Sequence, residues 1–557
     1  MRYTTAILAF FLLSAANAQA SDWGVVTKSA WGTVWTSTPL TKVMRGAPVP
    51  TRAAKAVRIY AAANEYEPFQ IVLTPKKQLN GVKIVPHTLQ GPGKARIHAW
   101  NISVKNVGYV DCKQPTSPDV KPGMYPDPLP DHTAFTAMAG VNSPVWVTVY
   151  VPPKTPAGEY KGTVDVVASG IGKVVIPISL RVWGFALPSV SRLRTAYGNS
   201  MWQAAKYQGA TTIEQKRKLT ELYNLNFWKH RVSPFAPYAN YDIGVNADGG
   251  SVTLDFAAFD VAIAKFFPYV NSYVLPQFGM DDNLGLKPSD VELGKIDYMR
   301  AVAEHLVDKG QLGKGFDYIT DEPPVEKYDE IVEAAKQVRM ADQRIKILLT
   351  KKVEEKLIGS VDIWAPIVDA YDEQPSKARQ AKGEQVWWYL CCGPHHPYPN
   401  YFIDYPAMDL RMYHWMTWRY GVNGILYWET MYWQDNPWTT PMSQPPDRSG
   451  VWGNGDGHLL YPPTRTQSKE FVAKGPVDSI RWETIRDGIE DYDYFRILQD
   501  RVKTSLAAKR ATPAYAAAQD ALKMVEDCAR SRTDYCTDPA RAEAVRVDVG
   551  KAIEGLK

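Results

Sequence analysis

The chain has 557 residues, of which 45% are hydrophobic and 22% are charged, so its composition excludes an intrinsically disordered protein. This length is too great for one ordinary core and predicts several domains. The formal net charge is only +5, without long runs of Lys or Arg, which excludes nucleic acid as a partner.

The N-terminus has the layout of a secretory signal peptide. Arg2 is followed by an apolar stretch at 6–16 and then by the small residues Ala18 and Ala20. No Cys follows Ala20 directly, and no later apolar run is long enough to span a bilayer. We therefore expect residues 1–20 to be removed and the mature protein to be periplasmic or secreted, without insertion into a membrane.

Short apolar runs separated by Pro and Gly turns follow the leader. Four of the runs are 56–60, 69–73, 145–151 and 174–182. Runs of this length and spacing are typical of two packed antiparallel sheets. Residues 21–190 are therefore predicted to form an all-β sandwich.

From about residue 191 the strand-like runs alternate with helical ones. Candidate strands lie near residues 194–198, 231–234, 272–278, 316–320, 345–350, 361–365, 385–391 and 424–428. Candidate helices between them lie at 212–229, 256–267, 295–309, 325–340 and 407–420. Eight such units predict a (β/α)8 TIM barrel over 191–470. A doubly wound open sheet is the alternative, but no Gly-rich phosphate-binding motif follows an early strand.

The remaining residues, 471–557, contain three helical segments and are predicted to form a helical cap on the barrel. The first segment includes Arg486 to Tyr492, where charged residues are interleaved at helical spacing with Ile489, Tyr492 and the following Phe495. This pattern favours an amphipathic helix that docks on the barrel over a catalytic role.

Two adjacent carboxylates, Asp321 and Glu322, end the fourth predicted strand of the barrel. Active sites of TIM barrels lie at the C-terminal ends of strands. Neighbouring side chains of a regular strand point to opposite faces, so both acids can face one substrate only where the strand ends. Pro323 predicts that ending, together with an extended backbone at Glu322. Alternatively, the two acids cap the helix that is predicted from Val325.

The adjacency of the carboxylates bears on the mechanism. A retaining glycosidase ordinarily holds two carboxyl groups about 5 Å apart around the scissile bond, and an inverting one about 6.5–9.5 Å apart. Adjacent residues suit another arrangement, in which the acetamido oxygen of the substrate is the nucleophile. One carboxylate then orients the acetamido group, and the other acts as acid and base. Glu322 is the better acid/base, because burial among aromatic side chains beside a second carboxylate would raise its pKa.

Three other strand ends supply polar and aromatic side chains. In the seventh strand, alternation puts Trp387 and Trp388 on opposite faces, so one is expected in the core and the other as a platform for a sugar ring. Asp281 and Asp282, after the third strand, are rivals for a nucleophilic carboxylate. The predicted substrate-binding residues are Trp388, Tyr389, Trp428, Glu429, Tyr432 and Asp281.

The sequence predicts neither a metal nor another cofactor. The adjacent Cys391 and Cys392, and the His-His pair that follows them, match no usual metal-binding spacing. No Gly-x-Ser-x-Gly elbow of a serine hydrolase occurs. Cys528 and Cys536 are close enough in sequence for a disulfide bond in an oxidising compartment, or they are two free thiols.

Several segments of the chain have distinctive sequences. They are residues 63–69, 320–323, 453–462 and 486–492, together with the ends of the seventh and eighth predicted strands. These segments resemble glycoside hydrolase family 123 and its relatives. The resemblance implies a β-sandwich followed by a (β/α)8 barrel, and β-N-acetylgalactosaminidase activity by substrate-assisted retention. It also implies that Asp321 stabilises the acetamido group and that Glu322 is the acid/base.

The leading hypothesis is therefore an exported glycoside hydrolase that releases β-linked N-acetylhexosamine, with GalNAc preferred, from a glycan or oligosaccharide. One alternative is a glycosidase of other specificity that uses Asp281 or Asp282 as its nucleophile. Another is a non-catalytic protein in which the sandwich and the aromatic-lined barrel bind a polysaccharide.

Overall fold

A computed structural model describes residues 23–248, 251–277, 288–442, 453–507 and 512–556. Its N-terminal region contains fifteen strands: β1 (Val25–Ser29), β2 (Gly32–Ser37), β3 (Val57–Ala63), β4 (Glu65–Pro75), β5 (Leu79–Pro86), β6 (Leu89–Gln90), β7 (Arg96–Ile97), β8 (Ile102–Asn106), β9 (Tyr109–Cys112), β10 (Gly123–Pro126), β11 (Pro128–Leu129), β12 (Phe135–Ala137), β13 (Ser143–Val151), β14 (Gly158–Ala168) and β15 (Gly172–Ala186).

Two sheets pack face to face in this region. One has the strand order β1-β2-β4-β13-β8, and the other has the order β12-β5-β14-β15-β3 with β6 and β7 beside it. In β15 the buried residues Val174, Ile176, Ile178 and Leu180 alternate with more exposed ones. Every second side chain therefore lies on the same face of the strand, and this face points toward the core. Inward-facing residues of both sheets form a single core, and the prediction of a sheet-rich N-terminal region is thus confirmed.

The later strands are β16 (Arg194–Tyr197), β17 (Gly244–Asp248), β18 (Ser251–Asp255), β19 (Tyr273–Val274), β20 (Gly315–Tyr318), β21 (Lys346–Leu349), β22 (Ile363–Trp364), β23 (Gln385–Leu390), β24 (Gly424–Tyr427) and β25 (Asp478–Ser479). The helices are α1 (Met201–Tyr207), α2 (Ile213–Lys229), α3 (Ala257–Phe266), α4 (Pro288–Asp308), α5 (Tyr328–Ala341), α6 (Glu373–Gln380), α7 (Ala407–Arg419), α8 (Ile480–Ala507), α9 (Pro513–Cys528) and α10 (Pro539–Gly555). No helix within the described ranges is both long and apolar enough to cross a membrane.

Seven parallel strands form a nearly closed barrel in the order β16-β24-β23-β22-β21-β20-β19. The second of the eight predicted strands does not form a strand. Its backbone nevertheless spans the gap: Tyr197 N donates to Ser233 O at 3.0 Å, and Phe235 N donates to Tyr197 O at 2.7 Å. On the other side Val274 N donates to Phe235 O at 2.9 Å. Pro234 lies in the middle and lacks an N–H, which explains why no regular ladder forms there.

Helix α8 differs from its prediction, because it is not amphipathic. Residues 480–495 are all buried, whichever side of the helix they lie on. Partly exposed residues begin after 495. The helix is enclosed because it packs on α7, α9, α10 and the sandwich strand β4. Its charged side chains therefore lie inside the protein, where each needs a partner of opposite charge.

These partners form a buried ion network between the sandwich, the barrel and the C-terminal helices. Arg411 of α7 donates to both carboxylate oxygens of Asp491, and Arg231 Nε donates to Glu490 Oε1 at 2.8 Å. Arg546 of α10 contacts Asp491 Oδ1 at 2.8 Å and also donates to Glu65 of the sandwich. The network thus connects five parts of the chain that are far apart in sequence.

His396 links the sandwich to the barrel, and its contacts are expected to make the stability of the protein depend on pH. Its ring nitrogens lie 2.5 Å from Asp119 Oδ2 and 2.9 Å from Asp409 Oδ2. Burial opposes the charged ring, but the hydrogen bonds and charges of Asp409 and Asp119 outweigh it and raise the pKa of His396. A raised folded pKa stabilises the protein below the unfolded value of about 6.5, and this contribution is lost as pH rises through the folded pKa.

We expect His396→Gln to remove that part of the pH dependence of the free energy of unfolding. Urea unfolding of the wild type and the variant, measured across the neutral range, checks this. His98→Gln is the control, since His98 stacks on Trp100 and pairs with no carboxylate of the described residues. Parallel pH profiles of the wild type and the His396 variant would contradict the expectation.

Candidate active site

The two adjacent carboxylates lie just beyond the end of β20, at the C-terminal rim of the barrel. Asp321 and Glu322 are both exposed. The strand ends at Tyr318, and helix α5 starts only at Tyr328, after a single 3-10 turn at Val325–Lys327. The residues between Tyr318 and that turn carry no regular pleat, so neighbouring side chains are free to face the same side.

Asp321 is fixed by two hydroxyl donors. Tyr318 OH lies 2.7 Å and Thr350 Oγ1 lies 2.9 Å from Asp321 Oδ1. Thr350, buried just after β21, also accepts a hydrogen bond of 2.7 Å from the backbone N–H of Glu322. Burial and the negative charge of Asp321 raise the pKa of Tyr318, which keeps its hydroxyl protonated as a donor. One threonine hydroxyl therefore connects both acidic residues.

Glu322 is held by an aromatic residue of another strand. Tyr389, in β23, donates its hydroxyl proton to Glu322 Oε1. Burial and the hydrogen bond to Glu322 raise the pKa of Tyr389, so this phenol also remains protonated. Tyr318 and Tyr389 both belong to the cluster of side chains inside the barrel. The two carboxylates are thus drawn toward the same barrel mouth.

The backbone of Glu322 is not extended as predicted, because its φ is +40°. A side chain in this left-handed region costs on the order of 1–3 kcal/mol and persists only where surrounding contacts hold it. Here Thr350 accepts from the Glu322 N–H and Tyr389 donates to its carboxylate. These tertiary contacts override the local preference of a residue before proline. The expected burial of Glu322 among aromatic side chains is also wrong, since Glu322 is exposed.

The structure does not bring Trp388 to this site. Its ring is fully buried on the outer side of the barrel, where it stacks on Tyr413 at 5.5 Å and its Nε1 donates to Thr417 at 3.0 Å. No ring face is left for a sugar. Trp387 is also fully buried, inside the barrel. Both tryptophans of β23 are therefore core residues, since a barrel strand is covered on both faces.

Trp428 and Tyr432 follow β24 and form an aromatic corner. Both are half-buried, and their ring centroids lie 4.9 Å apart at an interplanar angle of 60°. Trp428 Nε1 donates to Asp456 Oδ1 at 3.0 Å, and burial raises the pKa of Asp456 to about 6. Gly457, at φ +70°, lies so close that an added Cβ would be 2.3 Å from the Trp428 ring. The loop that contains Asp456 and Gly457 therefore fixes the orientation of Trp428.

Glu429 is an internal anchor and has no free oxygen aimed at a ligand. It is buried and accepts hydrogen bonds from the backbone N–H groups of Thr430 at 2.8 Å and Met431 at 2.9 Å. Ser200, at the start of α1, also donates to it from its backbone and its hydroxyl. The predicted role as a ligand for a sugar hydroxyl is thus replaced by a structural one.

The rivals Asp281 and Asp282 lie outside the described residues. Sequence reasoning also missed three residues that support the site, namely Tyr318, Thr350 and Asp456. Thr350 ends the fifth predicted strand, so the rule that functional residues follow barrel strands could have found it. Asp456 lies in a long connection after the last strand, and no local pattern indicates its contact with Trp428.

One trio within the described ranges has the geometry to hold a metal ion, formed by His230, Asp478 and Glu483. It lies between the sandwich and the barrel. Glu483 Oε2 already accepts hydrogen bonds from Trp146, Thr148 and Arg486, and the other oxygen, Oε1, lies 3.3 Å from His230 Nε2. We therefore assign no ion to this trio. The cysteines are free thiols, with the Sγ atoms of adjacent Cys391 and Cys392 3.9 Å apart beside the site.

A nearly closed parallel barrel with two carboxylates at its C-terminal rim is an arrangement found in glycoside hydrolases. Family models agree with this class: the catalytic domain of glycoside hydrolase 123 matches residues 292–498, and the glycoside hydrolase 123 N-terminal domain matches residues 35–168. Together they cover more than half of the sequence. The chain belongs to glycoside hydrolase family 123 and is a glycoside hydrolase that acts on glycans.

One solved structure agrees with the fold over nearly the whole chain. A family 123 glycoside hydrolase from Clostridium perfringens, described in a study of glycolipid glycan hydrolysis, aligns with a TM-score of 0.70 at 14% identity. The alignment covers 94% of this chain and 97% of that one. A Thermobacillus composti GH10 xylanase aligns with a TM-score of only 0.28 at 9% identity, over 53% of this chain and 97% of its own. No curated protein sequence matches this chain.

Thr350→Val is expected to reduce turnover, because the isosteric side chain loses both the donor to Asp321 and the acceptor for Glu322 N–H. We expect kcat to fall by about 10- to 100-fold, with a smaller change in KM, since a misplaced catalytic group affects the transition state most. Steady-state kinetics and a melting curve check this. Thr484→Val, which removes a buried hydroxyl bonded only within α8, is the matched control. An unchanged kcat would contradict the role of Thr350 in positioning the two carboxylates.

Proposed function

We propose that this enzyme releases β-linked N-acetylhexosamine, with GalNAc preferred, by a retaining, substrate-assisted mechanism. The observation that carries the proposal is the pair Asp321 and Glu322. The residues are adjacent in sequence, and hydroxyl groups from the same barrel interior hold both carboxylates. Such a pair presents two acids to one side of a sugar, where they do not flank the scissile bond.

In the first step the acetamido oxygen attacks the anomeric carbon while the bond to the leaving oxygen breaks. Glu322 donates its proton to that oxygen, and a cyclic oxazolinium ion forms. Asp321 is ionised and is held by Tyr318 and Thr350. It accepts a hydrogen bond from the acetamido N–H and stabilises the positive charge of the oxazolinium ion. Water then attacks the anomeric carbon and gives a proton to Glu322. The oxazolinium ring opens, and the configuration at the anomeric carbon is retained overall.

Trp428 and Tyr432 are the proposed walls for the sugar ring, since both are half-buried at the end of β24. Aromatic faces suit the apolar C–H face of a pyranose, and Asp456 and Gly457 keep the Trp428 ring in place. The family resemblance supports GalNAc. The C. perfringens enzyme of this family concerns glycolipid glycans, and we extend that substrate class to this chain as a proposal.

We also propose that the barrel is a (β/α)8 barrel whose second strand is reduced to the hydrogen-bonded segment around Pro234. The signal-peptide pattern of residues 1–20 supports export to the periplasm or the medium. N-terminal sequencing of the protein recovered outside the cytoplasm tests the cleavage site after Ala20.

A panel of aryl glycosides tests the proposed reaction. We expect hydrolysis of aryl β-GalNAc with retention of configuration, inhibition by a thiazoline analogue of the oxazolinium ion, and no comparable hydrolysis of aryl β-galactoside. Equal rates with and without the acetamido group would sink the mechanism. Trapping of a covalent glycosyl adduct on Asp281 or Asp282 would favour a conventional nucleophile, and glycan binding without any turnover would favour the non-catalytic alternative.

A further inference from the structure

A cavity lies on the outside of the barrel, between α2 and α3. Its volume is about 350 Å³, within the range of small-molecule sites. The lining includes Glu221, Asn224, Trp228, Pro234, Lys265 and Tyr269. None of these residues takes part in the site built by Asp321 and Glu322.

The cavity lies at the end of the barrel opposite the carboxylates. Helices of this architecture run antiparallel to the strands, so their C-terminal ends lie near the N-terminal ends of the strands. Trp228 is in the last turn of α2, and Tyr269 ends the 3-10 turn Phe267–Tyr269 that follows α3. A ligand bound between them therefore cannot touch the carboxylates at the C-terminal rim.

Two partly exposed aromatic rings form one wall of this cavity. Trp228 and Tyr269 are 38% and 41% exposed, and their ring centroids lie 4.4 Å apart at an angle of 39°. Large aromatic side chains are usually more buried than this in a monomer, and they offer a broad apolar face at little cost in conformational entropy. The adjacent rings present a platform of the kind on which a pyranose ring can stack.

Polar groups in the lining indicate which kind of ligand fits. Lys265 Nζ lies 2.5 Å from Glu221 Oε1, and Asn224 Nδ2 donates to Pro237 O at 2.7 Å. Together they offer a carboxylate, an ammonium group and a carboxamide, which pair with hydroxyl groups as acceptors and donors. The rest of the lining includes the apolar Leu225, Phe266 and Val270, so an alcohol with an alkyl chain is the competing ligand in the test below.

We propose that this cavity is a second glycan-binding site, which takes one pyranose unit stacked on Trp228 and Tyr269 with its hydroxyl groups toward Glu221, Asn224 and Lys265. Such a site holds the enzyme on a polymeric or clustered glycan while the barrel mouth acts on another residue. It requires only that the substrate is a glycan, which family membership establishes, and it does not depend on the identity of the sugar that is released.

The test uses the full mature protein labelled with 5-fluorotryptophan and followed by ¹⁹F NMR. Trp228→Phe assigns the resonance of Trp228, and Trp100→Phe assigns that of an exposed tryptophan on the sandwich, which is the control. Free GalNAc and free galactose are the probes, because neither can be hydrolysed. We expect the Trp228 resonance to shift saturably with at least one of them and the Trp100 resonance to stay unchanged.

Tyr269→Ala separates binding at this cavity from binding at the catalytic site. We expect it to weaken the binding reported by Trp228 about tenfold, with an unchanged melting temperature and unchanged hydrolysis of a small aryl glycoside. A Trp228 resonance that no sugar moves overturns the proposal. So does a resonance that moves with 1-hexanol and with neither sugar, because the cavity would then be an apolar site. If the wild-type enzyme does not hydrolyse aryl β-GalNAc, the proposed reaction is wrong, but sugar binding measured at Trp228 still supports a site in this cavity.

Discussion

Glu322→Gln is expected to abolish practical turnover of aryl β-GalNAc, with a fall in kcat on the order of 10²- to 10⁴-fold. The amide keeps the shape of the side chain and an oxygen that can accept from Tyr389 OH, but it cannot give a proton to the leaving oxygen. Steady-state kinetics on the purified variant measure the loss. Glu326→Gln, an exposed residue after the same strand, is the control and should retain wild-type activity.

The leaving group distinguishes the two carboxylates. Dinitrophenolate leaves without being protonated. We therefore expect Glu322→Gln to retain much more of the wild-type rate for the first step when the substrate is a dinitrophenyl glycoside. Asp321→Asn should be impaired whatever the leaving group, because Asp321 is proposed to act on the acetamido group and on the cyclic intermediate. If both variants lost activity equally on all leaving groups, the assignment of the acid/base to Glu322 would be wrong.

Arg546→Met is expected to destabilise the protein by about 3–5 kcal/mol, because it leaves buried carboxylates without their cation. Arg546 contacts Asp491 Oδ1 at 2.8 Å and Glu67 Oε2 at 3.3 Å, and it also donates to Glu65. Its methionine replacement keeps much of the volume but none of the charge. The change in the free energy of unfolding is measured by urea denaturation.

Arg530→Met provides the matched control for the same chemical change at the surface. Arg530 pairs with Asp534, four residues away in the segment between α9 and α10, and both side chains are more than half exposed. Surface pairs of this kind contribute little because water and salt screen them. We expect no measurable change in stability there, and a loss as large as that of Arg546→Met would refute the special role of the buried network.

Much of the fold could be predicted from local sequence patterns. The period of two in β15 and the capping box that Thr212 and Gln215 form at the start of α2 are both visible in the sequence. The strand-end rule also located the acids after β20. These signals are local, and each depends on residues a few positions apart.

The predictions that failed depend on contacts between distant residues. The environment of Trp388 is set by Tyr413 and Thr417 of α7, which close the outer face of β23. The positive φ of Glu322 depends on Thr350, and the burial of α8 depends on charges as far away as Glu65. Hydrophobic periodicity reports the face that a helix turns toward a core, but it does not reveal a helix enclosed on all sides.

The pairing of Glu65 with Arg546 also constrains the order in which the chain can finish folding. Synthesis proceeds from the N-terminus, and domains generally begin to fold as they emerge. The sandwich strand that carries Glu65 is complete long before residue 546 has been made, and until then its buried acid lacks this cation. The sandwich and barrel therefore dock fully only after α10 has been synthesised, so that a truncation that removes Arg546 would also disturb the buried contacts of the N-terminal sandwich.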